Sequence, residues 1–344
     1  MNKSLLNTYV CPADKTSLTF RSENHRDQGE ISEGFLVSAA NTKYTLKNSI
    51  PNFIAPGQLS KLELETKQQY EEYYTEEFYD NAIEWLFASF CEDENSIRES
   101  LVDILQLKPD FKVLEIGCGT GRDSLKIAKR LGRNGVFFIQ DLSQSMVDIT
   151  RNKLTKDYDK LGLSCTLNFF VSSARNLPFP DKYFDAVFHF GGFNNFEDPK
   201  GTLHEFSRVV KNGGRIVFGD ESIPPWLEGT TFAEIVCTNN PLFRHKVPLS
   251  HLPENAKEVT VRWLLGNCFY VIDYRIGNGT PLLNLDLPHK GNRGGTMRTR
   301  YYGQMEGITP EAKTLAQKSA KKKGVSLHDW LDQAVRNAAR QDLA

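Results

Sequence analysis

The segment Val113-Leu114-Glu115-Ile116-Gly117-Cys118-Gly119-Thr120-Gly121 constrains this chain more than any other. An apolar run ends beside an acid, three glycines alternate, and a helical stretch begins. Alternating glycines let the main chain turn sharply and let a ligand lie against it. The amides of the following helix then face a polar ligand group. A tight structural turn explains the loop alone equally simply. No Lys-Ser/Thr follows, which disfavours a nucleoside triphosphate loop, and G-x-G-x-G differs from the dinucleotide G-x-G-x-x-G. Glu115 would sit badly beside a pyrophosphate and suits a ligand with an ammonium group.

Asp141 follows the next apolar run, 20 positions after Gly121. At the tip of the second strand of such a fold, an acid can accept hydrogen bonds from both hydroxyls of a ribose. The alternative is a helix cap, a role that Ser143 can fill.

Around these residues, apolar runs alternate with helical stretches. Strands are expected at 112–116, 136–140, 167–171, 184–190 and 215–219, and helices near 122–132, 143–160 and 198–211. That rhythm implies a parallel, doubly wound sheet of the α/β class. A hairpin about Gly266-Asn267 joins 259–265 to 268–276. The chain divides into a strand-and-turn segment (1–57), a helical segment (58–108), the α/β core (109–276), an irregular Gly- and Pro-rich extension (277–308) and a helical hairpin (309–344). Thr309-Pro310 opens the first tail helix, and Ser326 caps the second. Leu315, Leu327, Trp330, Leu331, Ala334, Val335 and Ala338 form its expected apolar stripe.

Lys+Arg 42 against Asp+Glu 43 gives a net charge of -1, so no global field draws the chain to nucleic acid or anionic lipid. No run reaches the roughly 18 apolar residues of a membrane helix, and residues 1–10 lack a signal-peptide core. Six scattered cysteines form no C-x-x-C pair, so neither a disulfide framework nor a metal site is expected, and the cytoplasm is the expected location.

The run from Lys112 to Gly219 resembles the class I S-adenosylmethionine-dependent methyltransferases, in the branch of the ubiquinone/menaquinone-biosynthesis enzymes. Val113–Gly121 matches that family's first motif, and Asp141 matches its ribose acid. Ser172-Ser173-Ala174-Arg175-Asn176-Leu177-Pro178-Phe179 resembles its Gly-Asp-Ala-x-x-Leu-Pro-Phe segment, with Ser173 in place of the acid. Phe184–Val187 and Arg208–Gly214 match its fourth strand and a following turn. The resemblance implies a seven-stranded, mostly parallel sheet with one antiparallel strand, and S-adenosyl-L-methionine as cofactor. It implies a cofactor-facing set of Glu115, Gly117, Cys118, Gly119, Gly121, Asp141, Leu142, Met146, Ser173, Ala174, His189 and Phe190. Cys11-Pro12-Ala13-Asp14 with Tyr44–Phe53 resembles a zinc-ribbon-like module that has lost its ligands.

Methyl transfer is an in-line displacement, and a base is needed only when the nucleophile carries a proton. His189 and Asn194 are the catalytic candidates, and Tyr74, Tyr79 and Asn195 the substrate-binding ones. The Tyr-rich stretch 70–79 is either a lid or packing. The absence of an Asn-Pro-Pro-Tyr type motif favours oxygen or carbon acceptors. The expected acceptor is a mid-sized, partly apolar small molecule, with no nucleic acid, no membrane insertion and a homodimer as an option. The rivals are an RNA methyltransferase and a regulator whose tail reads DNA as a ribbon-helix-helix, with 296–304 as its strand.

Overall fold

The computed structural model describes residues 7–22, 32–72, 75–303 and 308–344. They fall into two compact units that divide between Thr280 and Pro281.

The first unit opens with four short antiparallel strands: β1 (Thr19–Arg21), β2 (Gly34–Val37), β3 (Lys43–Lys47) and β4 (Ile50–Asn52). Three helices follow: α1 (Lys61–Glu72), α2 (Glu76–Ser89) and α3 (Glu94–Ile104). Thr75 and Asp93 cap the last two, each side chain accepting a main-chain N–H three residues on, at 3.2 and 2.8 Å. Such caps satisfy amides that have no partner inside the helix.

The alternating region then runs β5 (Lys112–Ile116), α4 (Ser124–Arg130), β6 (Val136–Asp141), α5 (Gln144–Thr155), β7 (Thr166–Val171), β8 (Phe184–Phe190), α6 (Pro199–Val209), β9 (Val210–Glu221), α7 (Thr231–Asn239), β10 (Ala256–Leu264) and β11 (Phe269–Ile276). Strands β7-β6-β5-β8-β9-β11-β10 lie side by side, and β11 alone in this stretch runs opposite to its neighbours. The expectation of seven strands needs correction, because among the described residues the sheet has eleven. Asn52 pairs with Val171, which adds the N-terminal strands to the β7 edge. An uncovered edge exposes unpaired amides and carbonyls, and β4 takes up part of this one.

Both faces of the sheet are buried. Leu114, Ile116, Phe138, Val187, Ile216 and Phe218 point to one side, with Leu203, Phe206 and Val209 of α6. Val113, Phe137, Ile139, Phe188 and Val217 point to the other, with Leu101 and Val102 of α3, Ile127 of α4 and Val147 of α5. This is the period-two consequence of a pleated strand covered on two sides. Tyr9, Tyr44 and Phe53 from the N-terminal segment enter the first of these cores. Tyr9 lies 4.9 Å from Phe53 and 5.3 Å from Phe179, ring to ring. The Cys11 sulfur is buried 3.4 Å from the Tyr44 hydroxyl, as a packed apolar group.

The second unit holds α8 (Met297–Tyr302), α9 (Pro310–Lys323) and α10 (Leu327–Asp342). Of the strand that a ribbon-helix-helix reader needs over 296–304, the described residues form α8 instead, opened by a reciprocal capping box between Thr296 and Thr299, and residue 304 lies outside the described residues. α9 and α10 are joined at Gly324, whose φ of +68° is a left-handed helix stop. The stripe differs from expectation on both helices: Leu315, Val335 and Ala338 are exposed, Leu327, Trp330, Leu331 and Ala334 are only half-buried, and the buried residues are Ala316 and Ala320 of α9.

Candidate functional site

The carboxyl ends of β5, β6, β8 and β9 meet at a cavity, where open α/β sheets generally bind ligands. One lobe, of about 860 Å³, is lined by Gly117, Gly119, Asp141, Leu142, Ala174, His189, Phe190 and Asn195, with Glu63, Tyr70, Tyr79, Gln140 and Arg175. A second, of about 880 Å³, shares Tyr70, Tyr79, Gly117, Gly119, Phe190 and Asn195 and adds Cys118, Arg98, Asp123 and Glu221. Its remaining wall includes the apolar side chains of Ile83, Leu86, Phe87, Leu242, Leu265 and Phe269.

The glycine loop is held open by its neighbours. Gly117 and Gly119 have φ of +68° and +51°, a region that residues with a Cβ rarely adopt. Gly119 N donates to Asp141 Oδ2 at 3.0 Å, and Ser143 N donates to Oδ1 at 2.9 Å. Gln140 Oε1 accepts from Gly117 N at 3.2 Å. Burial raises the Asp141 pKa, against bonds from Ser143 and Gly119 that favour the anion. α2 is fastened over this loop: Asp80 accepts from Thr120 Oγ1 at 2.6 Å and from Arg122 Nε at 3.0 Å.

His189 is buried, and its Nδ1 lies 2.8 Å from the Ile116 carbonyl. A carbonyl only accepts, so Nδ1 carries the proton and Nε2 presents a lone pair. Nε2 has no partner among the described residues. Burial pushes the His189 pKa down to about 4, so the ring is neutral near pH 7.

Several expected residues lie elsewhere. Glu115 is buried behind the loop with Ser124 Oγ at 2.5 Å, on neither cavity wall, and burial raises its pKa well above the ordinary carboxylate range. Gly121 packs against Thr150, with no room for a Cβ beyond 3.0 Å. Met146 is wholly buried in the protein. Asn194 is tied down: its N–H donates to Asp220 Oδ2 at 2.5 Å and its side chain to the Glu221 carbonyl at 2.9 Å. The Ser173 hydroxyl donates to Glu63. Tyr74 lies outside the described residues.

Sequence reasoning missed Glu63, Arg98, Asp123 and Glu221. Glu63 of α1 lines the first lobe and pairs with Arg175 at 2.7 Å. Ser173 thus has a carboxylate beside it, brought from 110 positions away. No local motif signals that contact. Asp123, by contrast, stands two positions after Gly121 and could have been noted there.

Residues 113–214 match the methyltransferase domain family. This stretch is similar to methyltransferase domains. Around it, the chain is 30% identical over 126 residues to the ubiquinone/menaquinone biosynthesis C-methyltransferase UbiE of Edwardsiella ictaluri, covering 37% of this chain and 49% of that protein. It is 38% identical over 111 residues to the UbiE of Bordetella avium, covering 32% of this chain and 41% of that one. The chain therefore spans about half, or less, of the length of these curated relatives. A solved geranyl diphosphate C-methyltransferase of Streptomyces coelicolor A3(2) is similar at 15% identity and a TM-score of 0.43, over 53% of this chain and 79% of that one. Glu63, Tyr79, Arg98 and Glu221 all lie outside the matched methyltransferase domain.

Proposed function

We propose that the protein is an S-adenosylmethionine-dependent methyltransferase acting on an oxygen or carbon of a mid-sized, partly apolar small molecule. The observation that carries this is the Gly119–Asp141 arrangement on the cavity wall of a methyltransferase domain. Each Asp141 oxygen accepts one main-chain bond and keeps a lone pair. Two vicinal ribose hydroxyls are suited to these. Gly117 and Gly119 let the cofactor lie against the main chain, and Leu142 and Ala174 offer apolar contact to the adenine.

When bound, the cofactor supplies an electrophilic methyl group for in-line displacement. The protein contributes alignment and exclusion of water. The second lobe, with Ile83, Leu86, Phe87 and Phe269, suits an apolar acceptor body. His189, with a pKa of about 4, is a weak base and serves as a neutral hydrogen-bond acceptor. Glu221 is better suited to take an acceptor's proton: it lines the second lobe, and its Oε2 is buried with no partner among the described residues. Burial, and then the neighbouring Glu221, raise the pKa of Asp220 behind it well above the ordinary carboxylate range.

Among the described residues no helix is long and apolar enough to cross a membrane. All six cysteines are free thiols, which supports a cytoplasmic location. Calorimetry with S-adenosylhomocysteine, and mass spectrometry of ligands co-purified with the full chain, test this reading. An absence of binding at millimolar product would overturn it.

A further inference from the structure

The net charge of -1 conceals an uneven distribution. Residues 281–344, the second unit, hold 11 Lys and Arg against 6 Asp and Glu, so this unit is positive and the first is negative. Of those cations, only Arg298 and Arg336 form ion pairs among the described residues.

Hydrogen bonds gather several of the others at one end of the hairpin. Lys321, Lys322 and Lys323 are exposed and close α9, directly before Gly324. The first amides of α10, at Leu327 and His328, donate to the carbonyls of Asn292 and Arg293 at 3.0 and 3.2 Å. Arg300 Nη2 donates to the Gly294 carbonyl at 2.7 Å. The loop 281–288 is fastened to the same piece: Arg298 N donates to the Leu285 carbonyl at 3.0 Å, and the Arg298 guanidinium meets Asp286 at 2.7 and 3.0 Å.

That loop carries four leucines in eight residues, between two prolines, with no helix or strand. Leu282 is fully exposed, and Leu283 and Leu287 are 62% and 66% exposed. Tyr301 and Tyr302 of α8 are exposed as well, with their rings edge to face at 4.9 Å. A helix dipole accounts for lysines at the end of α9. It does not account for leucines turned to water on the same piece. Exposed apolar groups gathered in this way mark a docking surface, and the unpaired cations require its occupant to be anionic. A nucleic acid would meet the cations and leave the leucines in water. An anionic bilayer offers phosphates at its surface and hydrocarbon just beneath. Tyrosine, with an apolar ring and a wet hydroxyl, suits that boundary. The unpaired main chain of the loop keeps it at the boundary, because such groups are not tolerated in the hydrocarbon.

We propose that the second unit docks the protein on an anionic lipid surface. The exposed leucines of 281–288 enter the boundary between headgroups and acyl chains, and Lys290, Arg293, Arg300, Lys321, Lys322 and Lys323 meet the phosphates. The attachment is peripheral and does not depend on the methyltransferase reading.

Vesicle flotation with the full chain tests this. It compares pure phosphatidylcholine with a mixture holding about one third phosphatidylserine. About tenfold more protein is expected on the anionic vesicles at about 0.1 M salt, falling steeply near 0.5 M as screening shortens the reach of the cations. Two triple variants separate the contributions: Leu282→Ser with Leu283→Ser and Leu287→Ser, and Lys321→Gln with Lys322→Gln and Lys323→Gln. All six side chains are exposed, so melting should stay as in wild type, while each variant loses about tenfold or more in vesicle binding. Equal binding to the two vesicle types, or none to either, would overturn the proposal. So would full binding by the leucine variant, which reduces the attraction to unspecific charge. Tight binding of a single-stranded oligonucleotide without flotation assigns the patch to nucleic acid instead. A dimer seen by light scattering and dispersed by the leucine changes, again without flotation, assigns it to a second copy of the chain.

Discussion

Gly119 donates its main-chain N–H to the Asp141 carboxylate at 3.0 Å, which ties the tip of β6 to the glycine loop after β5. The carboxylate is thereby aimed by the loop whose conformation it stabilises.

Asp141→Ala removes this tether together with the proposed ribose bonds. Charge-assisted bonds contribute about 1.5–3 kcal/mol each before water compensates, so a loss on the order of 2–4 kcal/mol in S-adenosylhomocysteine binding is expected. Calorimetry of the folded variant measures it, and a change of less than about threefold (under 1 kcal/mol) rejects the ribose assignment.

Gly119→Arg places a large side chain on the wall that both lobes share. A Cβ at Gly119 would already lie 3.5 Å from the Tyr79 hydroxyl, with φ at +51°. Binding heat should vanish while the circular dichroism spectrum stays native. Wild-type affinity in this variant would place the ligand elsewhere.

His189 makes stability pH-dependent in a defined direction. Its folded pKa of about 4 lies below the ordinary imidazole value of 6.5, so folding favours the neutral ring. That contribution is complete above pH 6.5 and is lost as pH falls toward 4. Urea unfolding should show wild type losing on the order of 1–2 kcal/mol more than His189→Gln between about pH 7 and pH 5. Parallel losses in the two proteins would contradict the buried neutral ring.

Phe53→Ala tests whether the N-terminal strands fold with the α/β core. Phe53 is 2% exposed and contacts Tyr9 and Phe170. A cost of about 3–5 kcal/mol is expected, in a single unfolding transition of the first unit. Two separated transitions in wild type would mean that the strands are an independent module.

Metal analysis of tag-free protein should find no stoichiometric zinc. Cys11 is turned into the core beside Tyr44, and among the described residues no group of three His, Cys, Asp or Glu side chains gathers to hold an ion. Structural zinc sites take four such ligands. One zinc per chain would contradict this reading.

Much of the core was legible in the sequence. Lys112–Ile116 and Phe184–Phe190 match their expected bounds residue for residue, because strands buried on both faces read as mostly apolar runs between turn signals. The alternating glycines and Asp141 marked the first lobe for the same local reason: positive φ and a strand-end acid leave a signature in adjacent residues. The helix at Met297–Tyr302 did not, since Arg298 and Arg300 on alternate positions suit a strand as well, and the Thr296–Thr299 cap decided otherwise.

What tertiary structure alone decided is everything that joins distant segments. The eleven-stranded sheet depends on Asn52 finding Val171, and edge pairing has no period in the sequence. Glu63 reaches Ser173, and Arg98 reaches Asp123, across 110 and 25 positions. Glu115 was the sequence's choice for a ligand's ammonium group, yet Ser124 holds it behind the loop. Local pattern determines which face of an element is buried. Which charged side chains then share that buried space is set by how helices from outside the motif pack over it, where desolvation penalises any charge that finds no partner.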